Sequence, residues 1–510
     1  MNNPSIIKNT SFLYIKMAVT MLISLYSTRV VLENLGEKDF GFFNLGAGVI
    51  VMFGFFQDTM TRATLRYLCF YKGEGDITKQ KIVFNVSLFI HMIIAIVICI
   101  NLIGFSDYIF NELLNIEKER ITAAKYVYYF MIFSFAFTVL TIPYDSILNA
   151  NENMFIYSII GVIESFCRLI IALVIPFYTN DKLIFFALCT VIVTINSLLI
   201  KRIYCHKKYS ECSINISFIE KRTVYKMLSY AGWNFLTSIS SLLTYHGLGV
   251  ILNMFWGTAL NAAQGIANQI NGVLMNFSEN IMKALNPVIN KAEGENNQEK
   301  LQKLSFTGTK STFMIFSFFA IPVMFEAENI LNIWLKETPK WTVIFCQLLL
   351  FRTLINQLTT VFASRIYAQG SIKGYCIVKT IFNILPLFFT YYAFKAQLPP
   401  YTMYIIMLFF WEILGGYVVL YFAQHKCNLN INAYIKEILL PSIIVIITTS
   451  IIVFLIINNI HAFFLRIIIT SFISTISLCL IAWYILLNND ERNIIKATIS
   501  TVQRKLGIKI

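Results

Sequence analysis

Apolar residues run through this sequence in long, nearly unbroken blocks separated by short polar segments. A block of about 20 apolar residues is long enough to cross the ~30 Å hydrocarbon layer as a helix. Fourteen such spans can be read, near residues 9–32, 42–66, 82–103, 121–143, 154–178, 183–200, 227–248, 261–284, 311–324, 341–364, 372–394, 401–423, 438–457 and 462–487. The block at 311–324 is short for a span unless it extends to about Leu331. The pattern predicts an all-α polytopic membrane protein of about fourteen transmembrane helices. The first span does not read as a cleaved signal peptide, because it is long, contains Lys16 and lacks a small-residue exit.

Composition narrows the class. Of 510 residues, 57% are apolar and 13% charged, against the roughly 25% charge of soluble domains. A disordered, nucleic-acid-binding or disulfide-framework protein is excluded by that balance. The ten cysteines are scattered with no CxxC pair, and the five histidines have no metal-ligand spacing. No Walker, HExxH, GxSxG or GxGxxG motif occurs. Neither a metal, a cofactor nor an enzymatic activity is expected.

The net charge of +14 acquires meaning from its distribution. With the N-terminus in the cytoplasm, cytoplasmic segments hold about 26 Lys and Arg, the opposite side about 9 and the spans about 6, the positive-inside asymmetry. Both termini are therefore expected in the cytoplasm. The largest basic block runs from Lys201 to Lys226 and sits between the sixth and seventh spans.

A weak internal echo accompanies it. Val30 to Gly36 ends the first span and Val250 to Gly257 closely follows the seventh, while Met60-Thr61-Arg62-Ala63 loosely matches Met282-Lys283-Ala284. A shift of about 220 residues superposes spans one to six on spans seven to twelve. An even number of spans per half makes the repeats parallel, an arrangement of transporters. The expected organisation is an N-terminal six-helix lobe over 1–204, a basic cytoplasmic linker over 205–226, a second six-helix lobe over 227–425, and two further helices with a cytoplasmic tail over 426–510.

Five spans carry polar stripes at helical spacing. Span one has Lys16, Thr20, Ser24 and Thr28; span two has Gln57, Asp58, Arg62 and Arg66. Span seven has Asn234, Ser238, Ser241 and Tyr245, span eight Asn261, Gln264, Asn268, Asn271 and Ser278, and span ten Arg352, Asn356, Thr360 and Ser364. These stripes read either as the walls of a shared hydrated cavity or as interhelical hydrogen-bond glue. Asp58 with Arg62, Glu164 with Arg168 and Glu279 with Lys283 are each spaced as i, i+4 pairs. Glu412 has no evident partner: protonation, a cross-helix pair and ion coupling are all open to it, and Asp58 is a second candidate for coupling. Apart from Glu279 and Lys283, the cations Lys16, Arg29, Arg62, Arg168, Arg352 and Lys379 outnumber Asp58, Glu164 and Glu412. Surplus positive charge suits an anionic cargo, phosphate in particular.

Several strings resemble one family. Ser27 to Gly41, with Arg29-Val30-Val31-Leu32-Glu33-Asn34-Leu35-Gly36 at its centre, is similar to the end of the first helix of polysaccharide-unit (O-antigen and capsule, Wzx-type) flippases, and Met60 to Tyr67 to their second-helix exit. Asn253-Met254-Phe255-Trp256-Gly257 and Asn261 to Gln269 strengthen the likeness, which is to lipopolysaccharide flippases of Bacteroidetes-type bacteria. Their superfamily also holds multidrug extruders and the lipid II flippase. The resemblance implies a V-shaped, MATE-like pair of six-helix bundles plus two C-terminal helices, working by alternating access in the bacterial inner membrane. It implies a cationic cavity for a sugar-pyrophosphate headgroup, with Lys16, Arg29, Arg62 and Arg66 where family members place such cations; Asn234, Asn253, Gln264, Asn268 and Arg352 complete the expected lining. Lys16 stands where the family leads one to expect arginine, which keeps the charge and loses the bidentate fork. Implied partners are a polyprenyl-pyrophosphate-linked oligosaccharide, membrane lipids and glycan polymerase or assembly proteins, with no nucleic acid. An extruder of small amphipathic drugs on the same fold is the alternative.

Overall fold

The computed structural model describes residues 4–51, 54–108, 110, 120–335, 338–457, 463–493 and 496. Among them every extended element is a helix and no strand occurs. The first helix, Pro4–Val51, is broken at Gly36, so that its apolar span is Ile6–Gly36 (α1) and 37–51 leads toward Gly54–Gly73 (α2). Next come Ile77–Gly104 (α3), Ile121–Ala150 (α4), Met154–Phe177 (α5), Lys182–Lys208 (α6), Lys221–Trp256 (α7) and Thr258–Gly294 (α8). Gln298–Phe325 (α9), Thr342–Gln369 (α10), Lys373–Lys395 (α11), Thr402–Cys427 (α12), Ile431–Leu455 (α13) and Phe464–Leu486 (α14) complete the series. Residues 52 and 53 of the expected second span and the tail 497–510 lie outside the described residues.

Twelve of these helices are long and apolar enough to cross a membrane. The other two, α2 and α8, are the helices with the densest polar stripes, and α2 carries Asp58, Arg62, Arg66 and Lys72 within 20 residues. Their polarity must face protein or water, since charge in contact with lipid costs about 2.5–3.5 kcal/mol per residue at the bilayer centre.

Short polar residues set where helices begin. The Asp76 carboxylate accepts the Lys79 backbone N–H, Asp181 accepts those of Leu183 and Ile184, and Asn297 accepts that of Lys300. Each removes an orphan donor at a helix start. The expected ninth span at 311–324 is only the apolar part of a 28-residue helix that begins earlier, at Gln298. It does not run on to Leu331; Ala327–Trp334 is a separate short helix. Likewise Pro143 does not end α4, which continues to Ala150, as membrane helices tolerate proline where neighbours satisfy the freed carbonyl.

The internal echo has a backbone counterpart. Gly36 adopts φ 79°, ψ 166° and Gly257 φ 81°, ψ 177°, a region essentially closed to residues with a Cβ. Gly257 follows Gly36 by the same interval that separates Lys283 from Arg62. Gly36 separates α1 from the helical stretch 37–51, and Gly257 separates α7 from α8.

The chain divides into two compact units at Phe235/Leu236, inside α7 and beyond the basic segment 205–226. In the first unit, α4 is central and packs on α2, α3 and α6. Its core includes Ile98 and Leu102 of α3, Val127, Ile132 and Val139 of α4, and Leu183 and Ala187 of α6. In the second unit α10 is central, against α8, α9 and α12. Leu248, Leu252, Ala263, Phe345, Leu349 and Tyr404 form that core. Helices α13 and α14 pair with each other and lie on α9.

Candidate functional site

Each unit holds its own polar cluster among apolar helices. In the first, the Lys16 side chain of α1 lies in space left by Gly161 of α5; a Cβ there would stand 2.8 Å from Lys16 Nζ and closer still to Cε. The ammonium sits 4.0 Å from the centre of the Tyr157 ring. Lys201 of α6 approaches the same ring at 5.8 Å and forms a 2.8 Å ion pair with Asp145 of α4. Farther along α5, Glu164 accepts from Arg168 at 2.9 Å and from Ser197 at 3.3 Å. Lysines from α1 and α6 thus converge on one aromatic ring of α5, with Asp145 of α4 behind Lys201, and a cation over such a face gains about 0.5–2 kcal/mol.

This seat makes a specific prediction. Gly161→Ala should drive the Lys16 ammonium off Tyr157 while favouring α5 itself, since alanine is about 1 kcal/mol better than glycine in a helix. Whatever activity Lys16→Ala loses, Gly161→Ala should lose equally, and the double variant should be no worse than either single one. Wild-type activity in Gly161→Ala beside a defective Lys16→Ala would separate the role of Lys16 from this seat.

The other first-unit residues are dispersed. Arg66 is buried, its guanidinium 4.6 Å from the Tyr67 and Phe70 ring centres and 6.0 Å from that of Tyr230. Asn234 is buried one turn after Tyr230 and donates to its carbonyl at 2.9 Å, while Asn234 Oδ1 has no partner. Arg29 is exposed and bonded to Glu33 at 2.8 Å. Asp58 and Arg62 are both exposed, and the i, i+4 ion pair expected between them does not form. An exposed pair is worth only tenths of a kcal/mol, so the spacing alone does not fix the contact: Arg29 with Glu33 forms one and Asp58 with Arg62 does not. Glu279 and Lys283, at the matching place in α8, do not pair either. Of the three expected i, i+4 pairs, only Glu164–Arg168 is present.

The second unit supplies a partner for Glu412. Arg352 Nη1 of α10 stands 3.5 Å from Glu412 Oε1, and Asn356 Nδ2, one turn on, donates to Oε2 at 2.7 Å. The Arg352 guanidinium also lies 5.0 Å over Trp411. Lys379 of α11 donates to the Trp411 carbonyl at 3.5 Å, beside the bare Cα of Gly415. Trp411 Nε1 in turn donates to the Asn383 carbonyl at 3.1 Å, and Asn383 Nδ2 bonds Ser241 Oγ at 2.8 Å and Ser240 Oγ at 3.1 Å. A network of side chains and carbonyls therefore joins α7, α10, α11 and α12. Trp411 and Glu412 sit on a π-helical turn, Leu408–Leu414, a form common at functional sites.

Gln264 is buried, with Oε1 3.2 Å from where a Cβ on Gly249 would lie, and Asn261 donates to the Gly249 carbonyl at 3.1 Å. Asn253 and Asn268 are half-buried. Asn253 contributes its carbonyl to the Gly257 N–H at 2.9 Å, closing α7 at its glycine break.

Other strong pairs had no sequence signal. Arg120 bonds Asp39 and Asp181 at 3.1 and 2.6 Å, Glu326 accepts from Arg466 at 3.1 Å and Thr470 at 2.8 Å, and Lys310 pairs with Glu491 at 3.0 Å. Their partners are distant in sequence. No group of three or more potential metal ligands occurs among the described residues.

No family model matches the chain, and no curated protein matches it. Solved structures do. A MATE transporter in the bent conformation superposes with a TM-score of 0.74 at 15% identity, over 83% of this chain and 95% of that one. A MOP superfamily transporter from Pyrococcus furiosus, whose reversed binding-pocket polarity suggests a different function for it, gives 0.71 at 16% identity over 85% and 96%. An outward-facing multidrug resistance MATE transporter of the MOP superfamily gives 0.70 at 16% identity over 83% and 95%. The chain has the MATE-type fold of a multi-pass membrane protein.

Proposed function

We propose that this chain is a transporter that moves an undecaprenyl-pyrophosphate-linked oligosaccharide unit from the cytoplasmic to the outer leaflet of a bacterial inner membrane. A polar, anionic headgroup cannot cross hydrocarbon unaided, because burying a charge without a partner is prohibitive. Alternating access through a hydrated, cationic cavity removes that barrier. The fold supports a transporter; the balance of charge supports an anionic cargo.

One observation carries the choice of cargo. The carboxylates held within the spans at Asp145, Glu164 and Glu412 each face a cation, namely Lys201, Arg168 and Arg352. By formal charge, the span cations Lys16, Arg62, Arg66, Arg168, Lys201, Arg352 and Lys379 outnumber the carboxylates Asp58, Asp145, Glu164 and Glu412. Arg352, expected as a cavity cation, is thereby a partner of Glu412, and the anion reading rests chiefly on the first unit. The Pyrococcus furiosus transporter, whose reversed pocket polarity suggests a different function, is a precedent for this fold serving more than one function. Two negative charges moving outward against an inside-negative potential go downhill by about 2.3 kcal/mol per charge per 100 mV, so the membrane potential can help drive export.

The test is a deletion strain in which the leaflet position of the carrier-linked oligosaccharide is measured. Accumulation on the inner leaflet with loss of surface polysaccharide is expected, and restoration by the wild-type gene but not by Arg62→Ala. Intact glycan with drug hypersensitivity would instead support an extruder, the activity of the multidrug resistance neighbour. Accumulation on the outer leaflet would assign a later step, such as polymerisation.

A further inference from the structure

The first unit carries a groove lined by none of the residues proposed for the cargo cavity. It has a volume of about 290 Å³, near the lower end of the roughly 300–1,000 Å³ of small-molecule sites. Leu88 and Met92 of α3, Leu140 of α4, Leu198 of α6 and Ile216 of the following loop make its apolar walls, and Arg202 stands among them. The loop wall is built in place. Buried Asn85 donates to the Ser213 carbonyl at 2.7 Å and accepts the Asn215 N–H at 2.9 Å. Asn215 Oδ1 then accepts the Ser217 N–H at 2.9 Å, fixing the turn Ile216–Phe218. The turn holds Ile216 82% exposed.

Depth and charge identify the occupant. Arg202 lies just beyond the apolar run 183–200, about 3 Å past it at 1.5 Å per residue, which is headgroup level. From Asn85 to Met92 the groove descends about 10 Å toward the hydrocarbon, and Met92 is itself open to the outside. Arg202 is exposed and takes part in no ion pair among the described residues. A soluble ligand would find few polar groups along such walls, whereas an acyl chain needs none and its phosphate would find an arginine.

We propose that this groove binds an anionic glycerophospholipid of the cytoplasmic leaflet, one acyl chain lying between α3, α4 and α6 and the phosphate on Arg202. The site is separate from the transport cargo, and its occupancy would hold the 213–219 loop against the membrane.

The test uses the full-length protein in nanodiscs with a phosphatidylglycerol bearing a photoreactive group on its acyl chain, and a phosphatidylcholine with the same chain as control. Phosphatidylglycerol should label peptides containing Leu88–Met92 and Ile214–Ile219 in preference to phosphatidylcholine. Arg202→Gln should lower that labelling about fivefold, the change expected of one basic residue at an anionic surface, and Arg202→Lys should keep most of it. Met92→Trp, which fills the groove and leaves Arg202 intact, should lower labelling by both lipids. Equal labelling by the two lipids, or phosphatidylglycerol labelling that survives Arg202→Gln, would overturn the proposal. Displacement of the label by a polyprenyl phosphate at equal concentration would also overturn it, by giving the groove to the carrier lipid.

Discussion

Glu412→Ala should destabilise the second unit by about 3–5 kcal/mol, the cost of removing one partner from a buried ion pair. The Glu412 side chain is 3% exposed and Arg352 14%. Without the carboxylate, Arg352 would keep only the Trp411 ring, with its Nε already lacking a partner. Asn356 would lose its acceptor at the same time. Lys379, held at the Trp411 carbonyl, would become a second cation with no nearby counter-charge from Glu412. Thermal unfolding in detergent should register the loss, and Glu412→Gln should lose less because the amide oxygen still accepts from Asn356. Arg352→Met combined with Glu412→Leu should recover most of the stability, since a well-packed apolar pair often replaces a buried ion pair without penalty.

That double variant also separates two roles for Glu412. A carboxylate that only neutralises Arg352 can be removed along with it, and transport should follow the recovered fold. A carboxylate that exchanges a coupling cation cannot, and transport would stay lost in a stable protein. Glu412→Ala as stable as wild type would mean that the Arg352 contact carries no weight.

The contrast between Glu412 and Gly36 shows which features one sequence can reveal. Hydropathy blocks locate the helices because every backbone polar group in lipid must be satisfied within its own segment, so span positions are local properties. The Gly36 and Gly257 breaks are local too, and a match of a few letters around each was enough to suggest a repeat. Ion pairs follow a different rule. Glu164–Arg168 was legible because its partners lie one helical turn apart, but Asp58–Arg62 and Glu279–Lys283 have the same spacing and do not form. Spacing permits contact without deciding it, since an exposed pair is worth only tenths of a kcal/mol against the entropy of two long side chains. Arg352 with Glu412, Lys201 with Asp145 and Lys16 with Tyr157 join helices far apart in sequence. Nothing in the order of residues announces such neighbours, so the pairing of Arg352 with Glu412 was not legible.

Lys310→Met should loosen α14 from α9, with a loss of about 3–5 kcal/mol at the buried pair. Lys310 and Glu491 are 2% and 5% exposed and 3.0 Å apart. Glu491 also receives the Asn488 N–H at 2.9 Å, while Asn488 Oδ1 receives the Glu491 N–H at 2.9 Å, so the carboxylate is fixed by its own turn before it meets the lysine. At the opposite end of α14, Arg466 and Thr470 hold Glu326, which lies where α9 ends. Two charged contacts therefore fix the register of α14 along α9. They are needed because α14 turns Phe464, Ile468, Phe472 and Leu480 outward, and apolar side chains facing lipid do not favour one register over another. Limited proteolysis should cut the segment after Leu486 faster in Lys310→Met, and thermal unfolding should begin earlier. Lys310→Met with Glu491→Leu should recover most of the resistance. Asp490→Ala should change neither readout, because its 3.3 Å contact with Lys303 joins side chains 71% and 50% exposed, where such pairs contribute about 0–1 kcal/mol. Cleavage of Lys310→Met at the wild-type rate would mean that the Glu326 contact alone sets the register.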